Sequence, residues 1–170
     1  MSTQKVTSKQ YFRINNLLYF ALLSGQIVFS AITLFLNHGL MFQPDPSLRD
    51  IFIYIVPLFV LNGFVTGNII YKNRLKKIKK FNSLTSKMTE YRGAIIIRMA
   101  LLEGASLFSI VIYLITADIA FIAMAGIVVL YFLLLKPSRE KVILELELNS
   151  TERMKVESDE ELIAEFEVQG

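Results

Sequence analysis

Five polar side chains that could bind a proton or an ion lie inside long apolar runs. They are Gln26, Asn62, Thr66, Glu103 and Ser106. Glu103 shares a helical face with Ser106, and Asn62 with Thr66, because helical residues three or four apart lie on one side. An ionised carboxylate in an apolar environment must be paired, hydrated or neutralised. Glu103 is therefore the first candidate, since an ionisable residue inside a membrane is a functional-site hypothesis by default.

The elements that carry these side chains are predicted to cross a membrane. Of the 170 residues, 54% are hydrophobic and 19% are charged, against about 25% charged residues in soluble domains. A spanning helix needs about 20 mostly apolar residues, and four stretches fit, at about 14–36, 51–71, 94–116 and 119–135. They predict an all-α fold, a four-transmembrane-helix bundle of two antiparallel hairpins. The helices of a soluble protein would each show a polar stripe wide enough to meet water.

The basic residues predict the orientation of the chain in the membrane. The loop 72–92 carries eight basic residues against Glu90 alone, and the N-terminus carries three more. The other two loops hold a single basic residue, Arg49. Because basic residues stay on the cytoplasmic side, we predict a multi-pass protein of the bacterial inner membrane with both termini in the cytoplasm.

Two cytoplasmic segments of opposite charge follow from this topology. The basic segment consists of Lys72, Arg74, Lys76, Lys77, Lys79 and Lys80. It either contacts anionic lipid or a partner, or serves only to fix the orientation. The membrane domain, residues 1–135, is followed by an acidic tail, residues 136–170, with ten acidic and five basic residues. We expect the tail to fold against the basic segment and to form a short helix at 162–166, the alternative being a loosely ordered tail.

Polar residues also follow the helical period inside the predicted spans. Along span one they recur at steps of seven, four, three and four, at Tyr19, Gln26, Ser30, Thr33 and Asn37. This spacing places them on one face of a helix. In span two, Gly63 and Gly67 have the spacing of small residues that lets two helices approach closely. Neutral polar groups at such faces ordinarily hold helices together.

Glu103 differs from these neutral residues because its charge needs a partner. It lies eight residues beyond Ile95, about 12 Å at helical rise and close to the middle of the membrane. Arg98 is five residues away, which excludes an ion pair along one helix face, and is predicted to reach the cytoplasmic interface. Glu103 then pairs with Gln26 or Asn62 on another helix, or stays protonated.

The run Leu101-Leu-Glu-Gly-Ala, after a polar loop with Arg92, resembles the carboxylate-bearing helix of rotary-ATPase proteolipids. That resemblance covers residues 92–116 and implies ion binding at Glu103. This chain departs from the family in its four spans, its acidic tail and the lack of a long glycine run in the preceding span. As a whole, with Lys136-Pro-Ser-Arg-Glu-Lys141 after the last span, it is similar to small uncharacterised four-helix membrane proteins of bacteria. That resemblance implies a membrane location and does not indicate an activity.

The side chains present bear on three classes of function: an accessory protein, an ion-handling subunit and an enzyme. We expect a non-enzymatic accessory or assembly protein that binds other membrane proteins or itself in the lipid bilayer. The alternative is a proton- or ion-handling subunit that oligomerises and titrates at Glu103. An enzyme is disfavoured, since the chain has one histidine, no cysteine and no glycine-rich phosphate loop. No cofactor, no metal site and no nucleic-acid partner are expected.

Overall fold

The computed structural model describes residues 2–38 and 44–168, and the last two residues of the predicted tail lie outside them. The chain is helical apart from one two-stranded sheet. The helices are α1 Ser8–His38, α2 Arg49–Ile78, α3 Leu84–Thr116, α4 Ile119–Leu133, α5 Arg139–Leu146 and α6 Ser150–Glu157. The strands are β1 Ser2–Thr7 and β2 Leu162–Val168, and a short 3-10 helix, Pro46–Leu48, precedes α2.

Three of these helices, α1, α2 and α3, are long and apolar enough to cross a membrane. Two helices extend beyond the predicted spans into the segment 72–92, because α2 ends at Ile78 and α3 begins at Leu84. The helix at the fourth predicted span is shorter than expected. It has 15 residues, about 22 Å at helical rise, against a hydrocarbon core about 30 Å thick.

Two helix starts show how local sequence positions α2 and α4. Asp118 caps α4, since its Oδ1 accepts a hydrogen bond from Ala120 N at 2.9 Å. That bond and the ion pair with Arg49 hold the pKa of the Asp118 carboxyl below its usual range. Ser47 has the spacing of a capping box with Asp50, but it does not cap α2. Asp45 accepts from Ser47 N and Oγ instead, which caps the 3-10 helix before α2.

The chain forms two compact units, which are described separately. Unit 2 comprises Phe20–Asn68 and Arg98–Leu135. One of its apolar clusters joins Val56 of α2, Ile112 and Tyr113 of α3, and Phe121 of α4. Leu34 of α1 packs against the same cluster, so all four apolar helices contribute to it.

The predicted close approach at Gly63 and Gly67 is confirmed within unit 2. A Cβ at Gly63 would lie 3.0 Å from Leu101 O and 3.1 Å from Ala105 Cβ. A Cβ at Gly67 would lie 3.6 Å from Arg98 O. Because Gly63 and Gly67 have no side chain, α2 can approach the backbone of α3 closely at these two positions.

We expect Gly63→Val to destabilise the helix packing of unit 2 by about 1–3 kcal/mol, the usual effect of overpacking. The added methyl groups would meet the backbone of α3, which cannot move as a flexible side chain can. Gly104→Val is the matched control, because nothing lies within 4 Å of a Cβ there. Thermal unfolding in detergent, followed by circular dichroism, measures both, and equal effects of the two substitutions would contradict the packing.

Unit 1 comprises Met1–Tyr19, Ile69–Ile97 and Lys136–Gly170. Strands β1 and β2 pair antiparallel in it, with Lys5 opposite Glu165. The tail helices α5 and α6 bury Val142, Leu146 and Val156. The tail is thus folded, and the short helix predicted over 162–166 is wrong, since these residues belong to β2. These residues form a strand rather than a helix because β1, at the other end of the chain, supplies hydrogen-bond partners for their backbone.

Candidate functional site

The polar face predicted for α1 is its buried face. Gln26 and Thr33 are fully buried, and Ser30 and Asn37 are half-buried. Most of their hydrogen bonds return to α1 itself, as with Ser30 Oγ donating to Gln26 O at 2.8 Å and Gln26 Nε2 to Leu22 O at 3.2 Å. Such back-bonds satisfy a side chain without linking helices. Asn37 does link helices, because its Nδ2 donates to Tyr113 O at 3.1 Å.

Glu103 is half-buried on α3. Within residues 2–38 and 44–168 it has no hydrogen bond or ion pair to another side chain. Neither predicted partner is hydrogen-bonded to it among the described residues: the buried Gln26 Oε1 has no hydrogen-bond partner, and Asn62 is exposed and accepts from Thr66 Oγ1 at 3.2 Å. Gln26 and Glu103 nevertheless lie at similar heights on α1 and α3, because Asn37 bonds to Tyr113 and Gln26 precedes Asn37 by as many residues as Leu102, the neighbour of Glu103, precedes Tyr113. The depth of Glu103 in a membrane stays a prediction.

Buried hydroxyl groups accompany Glu103 along α3. Ser106 and Ser109 are fully buried, and neither Oγ has a hydrogen-bond partner among the described residues. Sequence reasoning found Ser106 and missed Ser109, although the three-residue spacing of the two serines is itself a helical signal. Glu103, Ser106 and Gln26 therefore give unit 2 a polar interior that the structure does not join into one hydrogen-bonded site.

Arg98 is held by two polar groups that the sequence reasoning did not identify. Its Nη2 donates to Asn68 Oδ1 at 2.6 Å and to Tyr131 Oη at 2.7 Å. Its guanidinium carbon also lies 5.9 Å from the centre of the Tyr131 ring. A polar residue near the end of the second predicted span, Asn68, and a lone tyrosine in the apolar α4 were the available signals. The position of Arg98 at the membrane interface stays a prediction.

In unit 1, a carboxylate of the tail accepts from two tyrosines. Glu145 Oε2 lies 2.6 Å from Tyr71 Oη and 2.5 Å from Tyr91 Oη. Both tyrosines are buried, at 5% and 2% exposure. Burial, followed by the neighbouring Tyr71 and Glu145, raises the pKa of the Tyr91 hydroxyl far above its usual range. Tyr91 therefore stays protonated and donates, which attaches α5 to α2 and α3.

The predicted attraction between the acidic tail and the basic segment is confirmed at one ion pair, Lys79 Nζ to Glu147 Oε1 at 2.6 Å. The more buried pair lies outside that segment, where Lys87 Nζ contacts Glu152 Oε1 at 2.7 Å. The other basic residues of the segment remain at the surface, with Arg74 half-buried and Lys72, Lys76, Lys77 and Lys80 exposed.

An open groove of about 1070 Å³ lies at the surface of unit 1. Its walls include hydroxyl, charged and apolar side chains: Ser86, Thr89, Glu90, Arg92, Glu165, Phe81 and Ile96. Thr89 Oγ1 donates to Glu165 O at 3.0 Å and thereby joins α3 to β2 beside the groove. We call it the Thr89 groove. Its residues can offer hydrogen bonds of both kinds and charges of both signs to a bound segment.

No protein-family model, curated protein or solved structure matches this chain. Its function is therefore inferred from the side chains themselves. In the part of the chain that the structure describes, no three histidine, aspartate or glutamate side chains gather as metal ligands would. Two features remain as candidate functional sites: the polar interior of unit 2 around Glu103, and the Thr89 groove of unit 1.

Proposed function

We propose that this chain is a non-enzymatic integral membrane protein that binds other membrane proteins as an accessory or assembly subunit. Its four apolar helices are placed across the bilayer, with both termini in the cytoplasm. Three helices of sufficient length and apolarity support the membrane location. Large apolar side chains that are exposed along those helices, such as Leu17, Leu58 and Leu61, are suited to lipid or to the helices of a partner.

The observation that carries the binding role is the Thr89 groove. Unit 1 gathers its three chain segments into a compact body, and the groove is open at its surface. Protein interfaces combine apolar contacts with a polar rim that forms hydrogen bonds, and the mixed walls of this groove can supply both. The topology inferred from basic residues puts residues 72–92 and the tail, which line most of the groove, on the cytoplasmic side, where the groove would meet a partner's cytoplasmic loop or tail.

A second function is favoured by Glu103. It is a half-buried carboxyl without a partner among the described residues, on the helix that also buries Ser106 and Ser109. A titrating carboxyl in that position suits a proton- or ion-handling subunit. Four helices from one chain are few for such a role, so this function requires an oligomer of this chain.

Ser86→Trp tests the accessory role, because Ser86 is exposed and a tryptophan there would fill the Thr89 groove. We expect the wild-type chain to co-purify in mild detergent with a small set of membrane proteins. The variant should recover these proteins in amounts lower by at least about 80%, because substitutions at the centre of an interface have the largest effects on binding. Quantitative mass spectrometry of tagged, chromosomally expressed protein measures the difference.

Lys155→Trp is the matched control, since Lys155 is exposed on α6 and does not line this groove. It should retain the partners. Recovery of a lone wild-type monomer, or of the same partners with Ser86→Trp, would refute the accessory role. Recovery of an oligomer that contains only this chain would favour the ion-handling role at Glu103.

A further inference from the structure

A narrow cleft of about 240 Å³ lies at the C-terminal end of α2 in unit 1. Its lining residues are Arg74, Lys77, Ile78, Phe81 and Glu90. Those from α2 and the turn after it follow one another at steps of three, one and three, which is a single helical face. The cleft therefore combines two cations and an aromatic ring on one side of α2 with the Glu90 carboxylate of α3.

Gly93 helps to set the position of the arginine in this cleft. Arg74 Nη1 lies 3.6 Å from the point where a Cβ of Gly93 would stand. The guanidinium therefore lies against the backbone of α3. Arg74 is half-buried as a result, whereas Lys77 is exposed at the mouth of the cleft.

The two cations of the cleft are available for a ligand. Within residues 2–38 and 44–168, neither the Arg74 nor the Lys77 side chain has an ion pair or a hydrogen bond with the protein. Lys79, by contrast, is paired with Glu147 on the tail. A guanidinium held in place can donate two parallel hydrogen bonds to a phosphate, and a lysine adds a mobile point charge.

The depth of the cleft matches that of lipid headgroups. If the second span ends at residue 71, Arg74 lies about 4.5 Å and Lys77 about 9 Å farther along the helix. Headgroup layers occupy about 5–8 Å on each side of the hydrocarbon core. The backbone of Lys77 lies just beyond this layer, and its side chain reaches back into it, because helical side chains point toward the N-terminus of their helix. Phe81, which is 39% exposed, supplies an apolar surface beside the two cations.

We propose that this cleft binds the headgroup of an anionic phospholipid whose single phosphodiester is linked to a hydroxyl-bearing alcohol, as in phosphatidylglycerol. Arg74 and Lys77 bind the phosphate. Glu90 accepts hydrogen bonds from the hydroxyl groups, and its charge disfavours headgroups with additional phosphates. This inference rests on the proposed membrane location, which brings such lipids to the cleft.

The test uses the full chain in detergent, titrated with short-chain phosphatidylglycerol or phosphatidylcholine and followed by native mass spectrometry. We expect one phosphatidylglycerol to bind with clear preference over phosphatidylcholine. The double variant Arg74→Ala/Lys77→Ala should weaken this binding at least about tenfold, because it removes the charge-assisted hydrogen bonds to the phosphate. The pair Lys72→Ala/Lys76→Ala removes the same charge from exposed positions outside the cleft, where solvent and salt screen it, and should change the binding less than about threefold.

Three results would overturn the proposal. Equal losses in the two double variants would mean diffuse attraction to a basic surface. Equal binding of both lipids would mean no headgroup recognition, and displacement of the lipid by millimolar inorganic phosphate would assign the cleft to free phosphate. Membrane location is read separately, because release of the wild-type chain by an alkaline wash of membranes would refute the proposed function without changing the titration.

Discussion

Lys87→Met should lower the free energy of unfolding of unit 1 by about 3 kcal/mol, the cost of breaking a buried ion pair by removing one partner. The side chains of Lys87 and Glu152 are only 10% and 12% exposed, and their charged atoms are 2.7 Å apart. Glu152 also accepts from Asn149 N at 3.2 Å as part of the capping box that starts α6. Without Lys87, the carboxylate keeps this cap and loses its cation, so α6 should detach from α3 first.

Urea unfolding of the detergent-solubilised chain measures the loss, and limited proteolysis around Arg153 reports the release of α6. Lys79→Met is the matched control, because it breaks the Lys79–Glu147 pair, whose Glu147 side chain is 73% exposed. Exposed pairs contribute at most about 1 kcal/mol. Replacing both Lys87 and Glu152 by apolar residues should recover part of the stability. A loss no larger than that of the control would show that the buried pair does not hold α6.

Glu145→Ala should destabilise unit 1 by about 3 kcal/mol, because the two hydrogen bonds to this carboxylate are charge-assisted and worth about 1.5–3 kcal/mol each. Tyr71 and Tyr91 are almost fully buried, so both hydroxyls would have to find a new acceptor or remain unpaired. Their own contact, at 3.3 Å, can satisfy at most one donor. The loss should separate α5 from α2 and α3.

Glu147→Ala controls for the loss of a carboxylate on the same segment, since Glu147 is exposed. Glu145→Gln should cost less than Glu145→Ala, because its amide oxygen still accepts a hydrogen bond without the charge. Hydrogen exchange of the α5 amides, compared with those of α3, measures whether the tail opens by itself. Unchanged protection of α5 in Glu145→Ala would contradict the role of this cluster.

Local sequence predicted the helices correctly where their determinants are local. Hydropathy and charge located the four apolar helices, and a single residue, Asp118, marked the start of α4. Period alone identified the buried face of α1 through Gln26 and Thr33, and the small residue Gly63 identified the face of α2 that approaches α3. Each of these features depends on the geometry of one helix, which is the same in every fold.

Tertiary structure alone determined which polar groups meet. Gln26 and Glu103 have the expected depth and do not bond, because depth along two helices does not specify the direction in which each side chain points. The Glu145 site depends on α2, α3 and α5 at once, and no spacing in the sequence predicts it.

The strand at 162–168 had the local pattern of a capped helix, and only pairing with Ser2–Thr7 makes it a strand. Glu103 is the residue that the sequence singled out most clearly. The apolar sequence around Glu103 is enough to show that burying an ionised carboxylate there costs desolvation free energy. Which group meets the carboxylate is a property of the assembly of helices, and the described part of this chain contains no such group.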